Sequence, residues 1–146
     1  MSTNTASLPD VEIGQFVDRF MRRIHADLGR KAHAFDPERV GPAGGLILMT
    51  LADIEPAPIH ELVRLIARDK SQVTRALQSL GRKGLIDRSM SAADGRVCVL
   101  SLTEKGAETV ERLRLALAES IDKVLTPLAP DEKRMLKSLL RKALQA

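Results

Sequence analysis

From Val11 onward the apolar residues Ile13, Phe16, Val17, Phe20, Ile24 and Leu28 recur at helical spacing, which places them on one stripe of a long helix reaching about Phe35. Arg19, Arg22, Arg23 and Arg30 mostly fall off that stripe. Asp36-Pro37 and Gly41-Pro42 break the period, and Leu46 to Ile54 is then apolar on nearly every side, the pattern of a short helix buried in the centre. Pro56 and Pro58 end it. Pro58 suits the first turn of a further helix, with Ile59, Leu62, Val63 and Ile66 on its apolar face and an end near Arg68. Asp69 is placed to cap the next helix, with Gln72 positioned to close a capping box and Gly84 where a left-handed C-terminal cap falls. Leu85 to Met90 and Val97 to Leu102 read as strands of a hairpin turning at Asp94-Gly95. Thr103 then N-caps a long helix carrying Val110, Leu113, Leu117, Ile121 and Val124 on one face. Pro127 and Pro130 interrupt it, and a last helix from about Asp131 bears Met135, Leu136, Leu139, Leu140 and Ala143 as its stripe.

This order predicts a mainly α fold with a small β-hairpin, in which a winged helix-turn-helix over residues 42–103 is flanked by helical segments at 11–35 and 104–146. Residues 1–10, small and polar with Pro9, predict a disordered arm. The outer helices carry more apolar stripe than the small middle can cover. Burial against a second copy is the simplest solution, so 11–35 and 104–146 are expected to form the dimerisation region of a homodimer.

Composition narrows the function classes. A chain of 146 residues with a net charge of +4 holds one compact domain with a mild basic bias, which favours a polyanionic partner only if the charges cluster. No run approaches the roughly 18 apolar residues that span a bilayer, and the opening lacks a signal peptide, so a cytoplasmic protein without a membrane partner is expected. Cys98 stands alone, which excludes an internal disulfide and a multi-cysteine zinc site. Tyr and Trp are absent, so stacking on unpaired bases is poorly supported. His25 and His33 lie about 12 Å apart along one helix and cannot share a metal within it; with His60 they read as surface residues, and neither metal nor cofactor is expected. No nucleophile with a base and no phosphate loop is recognisable, so no catalytic residue is assigned and the chain is not expected to be an enzyme.

The chemistry concentrates in the helix after Asp69. With Val73 set on the core side, Ala76, Leu77 and Leu80 fall within about 60° of it, which turns Ser71, Arg75, Gln78 and Arg82 outward and leaves Gln72 and Thr74 on the flanks. That surface contains hydroxyl, amide and guanidinium groups and no carboxylate. Guanidinium can donate twice to guanine, carboxamide pairs with adenine, and Lys70 with the first-turn amides can hold phosphate. An ordinary solvated helix face has the same composition. The hairpin separates the two readings, because Arg88 and Arg96 near a tight turn suit a wing entering a minor groove, with Asp94 placed to fix the Arg96 guanidinium in a bidentate salt bridge. The alternative there is a surface ion pair worth at most about 1 kcal/mol.

Asp69-Lys70-Ser71-Gln72-Val73-Thr74-Arg75, Lys83-Gly84-Leu85-Ile86, Asp94-Gly95-Arg96 and Leu102-Thr103-Glu104-Lys105-Gly106 together resemble the MarR family of multiple antibiotic resistance regulators, specifically over about Ile59 to Gly106. The resemblance implies a winged-helix dimer with interlocking first and last helices that represses genes, and two recognition helices set one DNA turn apart in such a dimer predict an imperfectly palindromic double-stranded operator. It implies that Ser71, Gln72, Thr74, Arg75 and Gln78 face the major groove and Arg96 the minor groove. It also implies release of DNA by a small-molecule effector held between the dimer and DNA-binding regions. Gly44-Gly45, where related sequences often place larger side chains, predicts a larger cavity or a looser helix there. Two alternatives stand beside this reading: a winged-helix module that binds another protein, and redox control through Cys98, which is expected to be a buried strand thiol.

Overall fold

The computed structural model describes residues 10–145, so the expected arm lies outside it except for Asp10. The Asp10 carboxylate accepts from the backbone N–H groups of Glu12 (3.1 Å) and Ile13 (3.3 Å), capping α1 (Val11–Phe35). The helix α2 (Gly41–Ile54) begins ahead of its apolar run. Gly41 turns the chain with φ +73°, Pro42 occupies the first turn, and Asp36 reaches forward to accept from the N–H groups of Val40 (2.9 Å) and Gly41 (3.0 Å). Gly44 and Gly45 are buried and do not open a cavity. A Cβ at Gly44 would lie 2.6 Å from Cγ1 of Val40, the N-cap residue of the same helix, and in ordinary contact with Leu80 Cδ2 (3.5 Å), and one at Gly45 would be in ordinary contact with Leu113 Cδ1 (3.6 Å), so the space beside both glycines is already filled.

Two residues that pattern alone did not mark as a strand, β1 (Ala57–Pro58), pair with β3 (Cys98–Leu102), which also pairs with β2 (Ile86–Met90). The hairpin is therefore the larger part of a three-stranded antiparallel sheet in the order β1-β3-β2, with Ala57 opposite Leu100 and Ile86 opposite Leu102. Pro58 serves both as a strand residue and as the N-cap position of α3 (Ile59–Ile66). Leu48 and Leu51 of α2, Leu62 of α3, Val73, Leu77 and Leu80 of α4 (Lys70–Arg82), Leu85, Leu100 and Val110 make one apolar core.

Val110 belongs to α5 (Glu104–Val124), which runs on past that core and is capped by Thr103 as expected, whose hydroxyl accepts from Gly106 N (3.0 Å). Ile24 and Asp27 of α1 are buried beside it. Asp27 is 3% exposed and is surrounded by donors: Ser120 Oγ (2.7 Å), Lys31 Nζ (2.8 Å), Lys123 Nζ (3.0 Å) and Arg30 Nη2 (3.2 Å). The bonds from Lys31, then from Ser120 and Lys123, hold its carboxyl well below the usual carboxylate range and outweigh the cost of burial. In α6 (Pro130–Leu144) no described residue is buried, and Met135, Leu139, Leu140 and Leu144 are exposed, as are Val11, Ile13, Phe16 and Val17 at the start of α1. No helix among the described residues is long and apolar enough to cross a membrane.

Candidate nucleic-acid interface

α3 and α4 are joined by a tight turn in which Ala67 takes a left-handed conformation (φ +52°) and Asp69 caps α4. The cap differs from a capping box. The Asp69 carboxylate accepts from the Ser71 backbone N–H (3.2 Å) and the Ser71 hydroxyl (2.8 Å), so Ser71 supplies both bonds to the cap side chain and Gln72 is left exposed. Those two bonds, the hydroxyl's first, hold the Asp69 carboxyl below its ordinary range, so it stays ionised at the positive end of the helix.

Val73, Leu77 and Leu80 are buried and Ala76 is half-buried, while Lys70, Ser71, Gln72, Arg75, Gln78 and Arg82 are exposed. Thr74 is half-buried on the flank and its hydroxyl donates to the Lys70 carbonyl (2.8 Å), which leaves only its acceptor lone pairs for a ligand. Arg75 Nε donates a long bond to the Ser71 carbonyl (3.4 Å), aligning the guanidinium along the helix and leaving its other donors open. Gly84 closes the helix with φ +72°, and Leu85 N donates to the Leu80 carbonyl (3.1 Å).

The wing turn is wider than a two-residue hairpin. Ser91 N donates to Val97 O (2.8 Å) at its base, Val97 N donates to Asp94 O (3.0 Å) at its tip, and Ser91 Oγ accepts from Ala93 N (3.2 Å) and Asp94 N (3.4 Å). Asp94 accepts from the backbone N–H of Arg96 (3.0 Å) rather than from its guanidinium. The expected bidentate salt bridge is thus replaced by a local Asx turn, because an aspartate two residues before an N–H reaches that donor with less loss of side-chain freedom. Arg88 on β2 and Arg96 in the turn are exposed. Cys98 is half-buried, at the strand end opposite Met90.

One feature had no signal in the sequence. A groove of about 290 Å³ between α1 and α5 is lined by Lys31, Phe35, Arg112, Leu115 and Glu119 among others. Arg112 Nη2 donates to Thr109 Oγ1 (3.2 Å), whereas its Nε is buried without an acceptor, alone in this among the described side chains. In the sequence Arg112 is one more cation on an amphipathic helix.

A helix-turn-helix whose second helix exposes polar donors, followed by a β-wing and flanked by long helices, defines a winged helix-turn-helix protein. Residues 43–98 match the model of the MarR family. The HTH-type transcriptional regulator BilQ of Clostridium symbiosum is 35% identical over 83 residues, a stretch covering 57% of this chain and 58% of BilQ, less than two thirds of that relative's length. A probable transcriptional regulator from Pseudomonas aeruginosa superposes with a TM-score of 0.73 at 28% identity, covering 92% of this chain and 98% of that one. A MarR mutant from E. coli, solved with operator DNA, shares the fold with a TM-score of 0.73 at 22% identity over 92% of this chain and 94% of that one. Over residues 43–98 the chain is similar to the MarR family, and its fold is the winged helix-turn-helix of these relatives.

Proposed function

We propose that this protein is a cytoplasmic, homodimeric, sequence-specific DNA-binding transcriptional regulator that acts as a repressor and is released by a small-molecule effector. The observation that carries the proposal is the outward face of α4, where Ser71, Gln72, Arg75, Gln78 and Arg82 are exposed with no carboxylate among them. In this reading α4 enters the major groove: Arg75, Gln72 and Gln78 address base edges, and Thr74 accepts from a donor at the flank. Lys70 takes phosphate through its side chain, since Asp69 already occupies the helix N-terminus, while Arg82 and Arg88 supply positive charge along the backbone. Arg96 follows the minor groove, and Asp94 shapes the turn that presents it. The exposed apolar faces of α1 and α6 pack against the second copy, bringing two such helices about 34 to 36 Å apart on a palindromic site. BilQ, described as an HTH-type transcriptional regulator, supports the regulatory role, and the E. coli protein of the same fold, solved with operator DNA, supports DNA as the partner. The groove lined by Arg112, Phe35 and Leu115 supports effector control, since an apolar wall beside a cation suits a ligand with an apolar body and one polar acceptor.

Fluorescence anisotropy with the DNA flanking the protein's own gene, run across a salt series against a random duplex, tests the proposal. Selective binding that weakens steeply with salt is expected. Equal weak binding to both duplexes, with no enriched site from a random-sequence selection, overturns it in favour of a protein-binding winged helix. Redox control through Cys98 is the lesser alternative, and unchanged operator affinity of Cys98→Ser and the parent after peroxide removes it.

A further inference from the structure

The carbonyls of Lys83, Gly84 and Leu85, which follow one another at the end of α4, all accept hydrogen bonds from the start of α5 or its cap. The Lys83 carbonyl takes Lys105 Nζ (3.2 Å), that of Gly84 takes Thr103 Oγ1 (2.7 Å), and that of Leu85 takes Thr103 N (3.1 Å). The Thr103 hydroxyl acts twice, since it also accepts from Gly106 N as the cap of α5. Gly106 is buried, and a Cβ there would run into the Leu85 carbonyl oxygen, so the approach of the two helix ends requires glycine at this position. On the other side, Lys83 Nζ donates to the Arg39 carbonyl (2.9 Å), which the left-handed backbone of Arg39 (φ +53°) presents, and Lys105 Nζ also pairs with Glu38 (3.1 Å). Lys83-Gly84-Leu85 and Thr103-Glu104-Lys105-Gly106 carry no DNA-facing role above; they are the two halves of one joint.

We infer that Thr103 and Lys105 are positioning residues that fix the angle between α4 and α5 and thereby set the half-site spacing that the dimer accepts. The inference rests on the proposal that α4 reads DNA and α5 belongs to the dimer region. At 1.5 Å per residue the 13 residues of α4 span about 20 Å, so a swing of about 10° at the joint carries the first turn of α4 about 3.5 Å. That displacement is roughly the rise of one base pair, about 3.4 Å. Ser71 and Gln72, at the far end of this lever, and Arg75, about midway along it, are thus placed by groups that never touch DNA.

The experiment measures binding of the full chain to duplexes carrying two copies of the half-site that the parent protein selects from a random pool, with the spacer shortened or lengthened by one base pair. The readout is the ratio of affinities between spacers, which is insensitive to the uniform weakening caused by losing a charge. For the parent each spacer change costs about tenfold or more, as loss of a matched contact does. In Thr103→Val, which keeps the shape and removes both hydroxyl bonds, the ratio falls to within about threefold, Thr103→Ser restores it, and Lys105→Met shows a partial fall. A folded Thr103→Val protein with the parent's ratio overturns the inference. If circular dichroism shows Thr103→Val unfolded, Lys105→Met decides, and the parent's ratio in that variant overturns the inference equally. A parent that binds its half-sites selectively but tolerates every spacer overturns the joint and leaves the DNA-binding proposal standing. A parent that does not separate half-site DNA from a random duplex overturns both.

Discussion

In the proposed DNA interface, single residues divide the work by chemistry. Arg75 carries a guanidinium whose free donors can bond a base edge in two places, whereas Lys70 is a point charge at the first turn of the same helix. Arg75→Ala is therefore expected to lower operator affinity by about 1 to 3 kcal/mol and to relax the preference at one base position. Lys70→Ala should weaken operator and random DNA alike and reduce the salt dependence. Titrations of both variants on matched, singly mismatched and random duplexes check this, and equal losses on all duplexes for both variants would refute the division. Thr74, on the face of its sequence position a symmetrical donor and acceptor, is narrower than that: its proton is committed to the Lys70 carbonyl.

Elements are held together by groups whose sequence signals were weak. The carboxylate of Asp27 joins α1 to Ser120 and Lys123 of α5, and its lowered pKa gives a sign to the pH dependence. Between the folded value and the unfolded value of about 3.9, the unfolded chain binds the proton and the native state does not, so stability rises with pH there and is flat above. The stabilisation is whole above that window and is lost as the pH falls through it. Asp27→Asn is expected to lower the melting temperature at pH 7 and to flatten its fall below about pH 4, read by circular dichroism melts across pH. An unchanged acid limb in the variant would assign that fall to other carboxylates. At the other packed junction, Gly44→Leu forces a side chain against Val40 and Leu80, and overpacking of this kind should cost about 1 to 3 kcal/mol in denaturant unfolding. Wild-type stability for this variant would mean that α2 can move away from α4.

At the scale of the whole molecule, the described chain leaves apolar surface uncovered at the start of α1 and along α6, with Leu139 55% and Phe16 55% exposed. Exposed apolar stripes on two helices are the mark of an interface. Leu139→Glu is expected to convert a dimer to a monomer in sedimentation equilibrium and to reduce operator affinity far more than half-site affinity, since linked half-sites lose their effective concentration. A parent protein that sediments as a monomer at micromolar concentration would remove the dimer from the proposal.

Much of this was legible in the chain. The helices from Val11, Lys70 and Glu104, the left-handed Gly84, the Thr103 cap and the buried face of α4 follow from periodicity and from local capping, which act within a few residues. The exposed face of α4 followed too, because a helix with three buried positions has its outward side determined by rotation alone. Other features required the tertiary structure. β1 is two residues long and exists only because β3 lies beside it, and the Asp94 carboxylate chose a neighbouring N–H over a guanidinium on local geometry. The Gly44-Gly45 pair, which suggested a larger cavity or a looser helix, has no cavity beside it because Leu80 and Leu113 arrive there from distant parts of the chain. Asp27 and Ser120 are 93 positions apart, as Thr103 and Gly84 are 19, and no period links them. What residues do to their near neighbours is written in the order of the chain; which carbonyl meets which hydroxyl across the molecule depends on how the helices pack, and that is decided only when the whole core closes.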